Sequence, residues 1–228
     1  MSKKNIINEA HVVLGTTVGV AGRVLRNKDG PFDLVIIDER HRGGANDESL
    51  VIASGAGDVY FSGLIGGTDE LSGLDVNKTS AGTGDITFKG NIGTSAGTDQ
   101  PGIVGTTAIG TTTTENVHFK GSLYRFDGGT TTITATTDSG SSDDENIEVA
   151  VTAEFKAAGE ALEFAGGKID LANGANLTLT NSSSSITVSG IAGHSDETVS
   201  INAGTGSVSL GAVGDTAHDE IHNLTVAG

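Results

Sequence analysis

Two stretches of this chain repeat one another closely enough to limit what it can fold into. Gly57-Asp-Val-Tyr-Phe-Ser-Gly-Leu-Ile-Gly66 returns as Gly84-Asp-Ile-Thr-Phe-Lys-Gly-Asn-Ile-Gly93, and a degenerate copy follows as Asn116-Val-His-Phe-Lys-Gly-Ser-Leu123. The anchors Val59, Ile86 and Val117 stand 27 and 31 residues apart. Self-similarity on this scale marks units that cannot bury their apolar side alone and must stack on their neighbours. Within each copy, Val59-Tyr-Phe61, Ile86-Thr-Phe88 and Val117-His-Phe119 alternate in the manner of half-buried strands. The alternation continues in Ile133-Thr-Ala135, Ile169-Asp-Leu171, Leu177-Thr-Leu179, Ile186-Thr-Val188, Val199-Ser-Ile201, Val208-Ser-Leu210 and Leu224-Thr-Val226. A longer phrase also pairs Gly57 to Val76 with Gly206 to Val226, through Leu71-x-x-Leu74-x-Val76 and Ile221-x-x-Leu224-x-Val226.

Composition agrees with stacking. Only 36% of residues are hydrophobic and 4% aromatic, while Gly contributes 35 of the 228. A compact globule of this length needs more large side chains to offset chain entropy, whereas a thin core shared between repeats needs fewer. No segment carries a capped 3.6-residue apolar period. Residues 154–164, with Phe155, Ala158 and Leu162, come nearest to a helix, and Gly159 and Gly166-Gly167 weaken that reading. The expected fold class is therefore all-β. A parallel β-solenoid is the first choice and a pair of antiparallel β-sandwiches the alternative. In a solenoid, Val59, Phe61, Ile86, Phe88, Val117 and Phe119 point inward and stack as ladders. Two regions are expected: residues 1–50, a less regular N-terminal cap or edge containing the apolar run Leu34 to Ile37, and residues 51–228, the degenerate repeats.

The formal net charge of −16 argues against nucleic acid, which needs a basic footprint, and against anionic membranes. Charge is unevenly placed: seven of the 13 Lys and Arg lie in the first 50 residues and none follows Lys168. The chain has no Cys, and so no disulfide framework. It has no run of ~18 apolar residues that could span a bilayer as a helix. The start, Met1-Ser-Lys-Lys, leads to Val12-Val13-Leu14, but Glu9 and His11 intrude and Thr16-Thr17 end the run. This reads as a strand rather than a signal peptide, so no export signal is evident.

The phrase G-D-[VI]-x-F-x-G-x-I-G followed by L-x-x-L-x-V resembles the degenerate repeats of large bacterial surface proteins, in particular filamentous-haemagglutinin-like and autotransporter-passenger regions. The resemblance covers roughly residues 51–228. It implies a right-handed parallel β-helix displayed outside the cell or on its surface, with an adhesive or spacer role. The period is irregular, and residues 1–50 do not fit.

Candidate sites are few. Asp138, Asp143, Asp144, Glu145 and Glu148 cluster in one acidic stretch. Ca²⁺ takes six to eight oxygen ligands, so such a loop is the weak candidate for a metal, although no EF-hand or Gly-Gly-x-Gly-x-Asp spacing is present. His218-Asp-Glu-Ile-His222 has a spacing that could hold zinc on a helix, but Asp219 replaces the glutamate of H-E-x-x-H and the repeat alignment puts a loop there. The runs Thr111–Thr114 and Thr130–Thr132 lack the strict period of a flat, water-ordering array. The sequons headed by Asn77, Asn176, Asn181 and Asn223 are what this composition yields by chance. The Gly-Thr-Gly-Asp85 turn opens a strand rather than a helix and is no phosphate loop. Its glycines are expected to supply φ > 0 corners.

These readings lead to a structural or adhesive surface module without enzymatic activity or cofactor. Its partners are itself, adjoining repeats, or host and matrix glycans or proteins. A calcium- or glycan-binding module is the alternative. A polysaccharide-cleaving β-helix comes third, since Trp is lacking and no Lys or Arg follows Lys168. Leu224-Thr-Val226 is expected at an open edge guarded only by Asp219 and Glu220. The N-terminal section, which holds most of the Lys and Arg, could meet that edge of another copy head to tail.

Overall fold

The computed structural model describes residues 49–67, 69–78, 83–94, 102–136, 146–194, 196–214 and 220–228. Among them every regular element is a strand. In chain order these are β1 (Ser49–Ile52), β2 (Val59–Phe61), β3 (Gly73–Val76), β4 (Ile86–Phe88), β5 (Thr107–Ile109), β6 (Val117–Phe119), β7 (Leu123–Phe126), β8 (Thr131–Ala135), β9 (Ile147–Val149), β10 (Ala153–Ala157), β11 (Leu162–Gly166), β12 (Ile169–Leu171), β13 (Leu177–Asn181), β14 (Ile186–Ala192), β15 (Thr198–Asn202), β16 (Val208–Val213) and β17 (Asn223–Ala227). Every pairing between them is parallel, which rules out the antiparallel sandwiches. The helical pattern over 154–164 is overruled as well. Phe155 and Leu162 lie inward on β10 and β11, with the exposed Gly159 at φ 95° in the corner between them.

The chain visits three parallel ladders in a fixed cyclic order. The first contains β2, β4, β6, β9 and β12 and ends on the far half of β14, paired with the end of β16. The second contains β7, β10, β13, β15 and β17, and isolated bridges carry it back from Tyr124 to Ile92 and Ile65. The third contains β1, β3, β5, β8, β11, the near half of β14 and the start of β16. Because β14 belongs to both, the first and third ladders form one 12-stranded sheet; the second is a separate 5-stranded sheet.

The anchors inferred from the repeat are direct neighbours. Val59 pairs with Ile86, and Ile86 with Val117. All three are buried, as are Phe61, Phe88 and Phe119, whose rings stack with centroids 4.6 and 5.3 Å apart. The longer phrase is corrected. Val59 belongs to the ladder that ends on Val213, whereas Val208 pairs with Ile186 on the ladder of Leu74. The likeness of Gly57–Val76 to Gly206–Val226 thus relates two different sides of the molecule. All three sides impose the same demand, alternating apolar residues between tight corners, so similar phrases arise on any of them.

Passes shorten along the chain. Successive first-ladder anchors from Val59 to Ile147 are 27, 31 and 30 residues apart; Ile147, Ile169, Ile191 and Val213 then follow at 22 each. The shortening is concentrated where the chain crosses from the third ladder to the first. From Val76 to Ile86 this is a long connection, from Gly166 to Ile169 a short one, and β14 crosses without a break. Bulky side chains end one pass later, since no Phe or Tyr follows Phe164. Phe61, Phe88, Phe119, Tyr124, Phe155 and Phe164 form a continuous set of ring contacts that runs through the longer passes into the first 22-residue pass, which holds Phe155 and Phe164. Ile, Leu and Val fill the passes after it.

The glycines of the repeat do two jobs. Gly66 and Gly93 close their copies at φ 59° and 75°, in the left-handed region that favours Gly. Gly84 and Gly90 are not at positive φ, contrary to the corner expectation. A Cβ on Gly84 would lie 2.5 Å from the carbonyl oxygen of Gly57, and one on Gly90 would collide with that of Gly63. Each glycine therefore lies against its counterpart in the preceding pass, and close contact between passes is what excludes a side chain there.

Candidate functional site

The polar residues of the repeat bind one pass to the next. Asp58 Oδ1 accepts the Asp85 N–H at 2.9 Å, and Asp85 Oδ1 accepts the Asn116 N–H at 3.1 Å and its Nδ2–H at 3.0 Å. The aspartate of the G-D phrase is thus an interpass clamp, because its oxygen reaches the backbone of the following copy. The second ladder has the same device. Asn91 Oδ1 takes the Ser122 and Leu123 N–H groups, Thr152 Oγ1 takes the Asn176 N–H, and Asn176 Oδ1 takes the Thr198 N–H and hydroxyl. Such bonds satisfy backbone donors at corners, where the ladders leave them unpaired.

The outward row of the first ladder carries an array with acid–base chemistry. Thr87, His118, Glu148 and Asp170 occupy consecutive register positions on β4, β6, β9 and β12. His118 Nδ1 is 2.6 Å from Glu148 Oε2, and its Nε2 is 3.6 Å from Asp85 Oδ2. With Glu148 ionised, Nδ1 carries the proton and donates. The order hydroxyl, imidazole, carboxylate has the residue types of a nucleophile relay. The geometry serves a different end, since Nε2 faces the Asp85 carboxylate and the ring sits between acids of two neighbouring passes. The array can hold passes together electrostatically. His118 is half-buried, which keeps solvent from fully screening the pair.

Of the acidic metal candidates, Asp138, Asp143, Asp144 and Glu145 lie outside the described residues. Glu148 is placed on β9, with its Oε2 engaged by His118. Among the described residues no group of three or more His, Asp or Glu side chains is arranged to hold a metal ion. His218 and Asp219 also lie outside them. His222 is exposed, and its N–H donates to the Glu197 carbonyl at 2.9 Å. The threonine runs break up. Thr114 is buried and its Oγ1 accepts the Thr111 N–H, while Thr131 points into the core. Of the sequon asparagines, Asn77 and Asn181 are buried. Asn77, at φ 62°, is bonded through its amide to Ser54.

Sequence reasoning missed Glu197. This carboxylate is fully buried, with Oε1 accepting the Gly174 N–H at 2.7 Å and Oε2 those of His194 at 2.6 Å and Asp196 at 3.1 Å. It closes the corner before β15 and reaches back to the previous pass. A charged group is tolerated in such a place because charge-assisted bonds to fixed N–H donors replace its water. In the sequence it stands in an ordinary polar loop, His194-Ser-Asp-Glu-Thr198, and nothing local marks it. No protein-family model matches the chain, and no curated protein or solved structure matches it either.

Proposed function

We propose that this protein is a structural module of a bacterial cell surface. It is a right-handed parallel β-solenoid that displays or spaces an adhesive surface and acts without catalysis. The observation that supports this reading best is the recurrence of the three parallel ladders in the same order from β1 to β17, with inward residues stacked and corner side chains clamping pass to pass. The chemistry of the molecule is invested in its own cohesion. Among the described residues, Asp58, Asp85, Asn91, Asn176, His118 and Glu197 serve neighbouring passes. On the second ladder one outward row becomes small and polar in Thr178, Ser200 and Thr225, which follow one another in register. Such a row offers a regular, wettable face for host or matrix glycans or proteins. The net charge of −16 keeps copies apart on that face.

The test is labelling of the source cells with antibody against the folded chain, before and after permeabilisation. Labelling of intact cells is expected. Labelling that appears only after permeabilisation overturns the surface assignment.

A further inference from the structure

Two lysines on this acidic molecule lack a counter-charge. Elsewhere, neighbouring cations have theirs beside them. Arg125 and Lys156 are register neighbours on the second ladder, with Asp127 Oδ2 at 2.9 Å from Arg125 Nη2 and Glu154 Oε1 at 3.4 Å from Lys156 Nζ. Lys89 and Lys120 differ. Their N–H groups donate to the Phe61 and Phe88 carbonyls, so they stand on consecutive passes at the ends of β4 and β6, one strand spacing or about 4.8 Å apart. Both are exposed, and neither ammonium has a partner among the described residues. Like charges on neighbouring strands repel, and nothing in the described fold offsets this. They stand at the corner where the chain leaves the first ladder for the second. Its residues, 62–64, 89–91, 120–122, 150–152 and 172–174, include no Asp or Glu although the net charge is −16. Gly63, Gly90 and Gly121 stack along it and leave it bare of side chains. Leu64 is 43% and Val151 41% exposed on the same corner, whereas the other exposed large apolar residues, Val51, Leu224 and Val226, belong to the first and last strands. Tyr60, the one Phe or Tyr among the described residues that is not buried, faces outward on β2, one pass before Lys89 and two positions along. Asp58 and Asp85 lie at the opposite ends of these strands, where they clamp the next pass.

We propose that this corner binds an acidic polysaccharide, a sugar chain bearing carboxylate or sulfate groups. Lys89 and Lys120 take two of its charges, and the Tyr60 ring takes the face of a sugar. The missing counter-charge fixes the sign of the ligand, and the acid-free corner lets it approach a molecule that otherwise repels it. The form of the ligand follows from the surface. A sugar ring combines apolar C–H faces with charged substituents, which matches exposed Leu64, Val151 and the Tyr60 ring beside two ammonium groups. A linear polyanion laid along the stack meets the lysines at the spacing of one pass. A peptide adding as a strand finds no free edge on β4 or β6, since each is paired on both sides. Lysine is a point charge without the fixed fork of arginine, so it accepts carboxylate and sulfate alike. The inference rests on the adhesive reading above and names its ligand class, placing the contact on this corner rather than on the row of Thr178, Ser200 and Thr225.

Equilibrium binding of the purified chain to polygalacturonate, dextran sulfate, neutral dextran and polyglutamate tests it. Binding to polygalacturonate or dextran sulfate is expected, and the tighter of the two identifies carboxylate or sulfate as the group recognised. Neutral dextran should not bind. Lys89→Gln/Lys120→Gln should weaken binding about tenfold, the scale of two exposed charge contacts. Lys78→Gln/Lys156→Gln changes the net charge equally and should leave binding as in the parent. Tyr60→Ala should weaken it several-fold, and Tyr60→Phe should keep it. The substituted lysines lie at the surface, so their variants should retain the parent's circular dichroism spectrum. Absence of binding to both acidic polysaccharides overturns the proposal. So does an equal effect of the two lysine pairs, which is the outcome for unspecific charge attraction, and so does polyglutamate bound as tightly as the polysaccharides, which is the acidic-peptide outcome. If Tyr60→Ala loses the parent spectrum, Tyr60→Phe and the two lysine pairs decide. All of this is read on purified protein, so loss of the site is distinguishable from loss of the surface assignment, which is read by labelling of intact cells.

Discussion

Thr107 and Thr131 are the residues at which this core departs furthest from its own rule. They are paired neighbours on the third ladder, and both point inward at positions held by Leu74 in the pass before and Leu162 in the pass after. Both are fully buried, and neither hydroxyl has a hydrogen-bond partner among the described residues. A buried hydroxyl without a partner costs about 1–3 kcal/mol. Thr107→Val and Thr131→Val keep the shape and remove the polar atom, so each is expected to raise stability by about 1 kcal/mol, measured as a higher denaturation midpoint at unchanged slope. A fall in the midpoint would mean that the hydroxyls are satisfied. Tyr124 shows the opposite economy. Its ring is stacked on Phe155, and its hydroxyl accepts the Gly121 N–H at 2.7 Å. Burial raises its pKa well above the ordinary value of 10.0, and the Gly121 bond opposes this only in part. The phenol is therefore favoured neutral in the fold, and its contribution is complete below pH ~10. As pH rises above that, the unfolded chain loses the proton first and stability falls. Denaturation midpoints at several alkaline pH values should show the decline. Tyr124→Phe should flatten it even though the variant is less stable at neutral pH.

At the scale of the element, each strand is short, and four of the first six have only three residues. Strands of that length hold only because the pass on each side repeats their register. The G-D phrase supplies the means: a glycine that lets two passes touch and an aspartate that accepts a backbone N–H from the next. Gly84→Ala tests the first part. Its Cβ would stand 2.5 Å from the Gly57 carbonyl oxygen, a backbone atom that cannot move aside. A loss of about 1–3 kcal/mol is expected, the range for overpacked sites. Unchanged stability in thermal or urea unfolding would show that the passes are looser at this corner than the register implies. The same elements explain why the helix pattern over 154–164 misleads. Phe155 and Leu162 are both apolar at a near-helical spacing, but they face inward from two sides of one pass, joined by a glycine corner.

At the scale of the molecule, stability is expected to be close to a sum over passes and the contacts between them. The exact 22-residue spacing of Ile147, Ile169, Ile191 and Val213 makes that testable. Deleting residues 186–207 removes one whole pass. It brings Val208 into the register of Ile186 beside Leu162, Val213 into that of Ile191, and Leu224 into that of Val199. The shortened protein is expected to fold and to unfold cooperatively, with a β-type circular dichroism spectrum. Deleting residues 186–196, half a pass, carries every later strand to the wrong ladder and should abolish cooperative unfolding of the C-terminal part. Equal behaviour of the two deletions would contradict the stacked-pass account.

The amino-acid sequence determined by itself the all-β class, the inward set Val59, Phe61, Ile86, Phe88, Val117 and Phe119, and the register between the copies that carry them. Those features are written in local alternation and in near-identical words, and local sterics and burial suffice to read them. The tertiary structure alone decided which of three sides a phrase occupies, because all three sides select the same alternating residues. It alone assigned Asp58, Asp85 and Asn176 as clamps, and it alone brought His118 between Asp85 and Glu148 and buried Glu197 at a corner. Each of those placements joins residues about 20 to 30 positions apart. Such a distance is set by the length of each pass and leaves no mark in the residues next to the site.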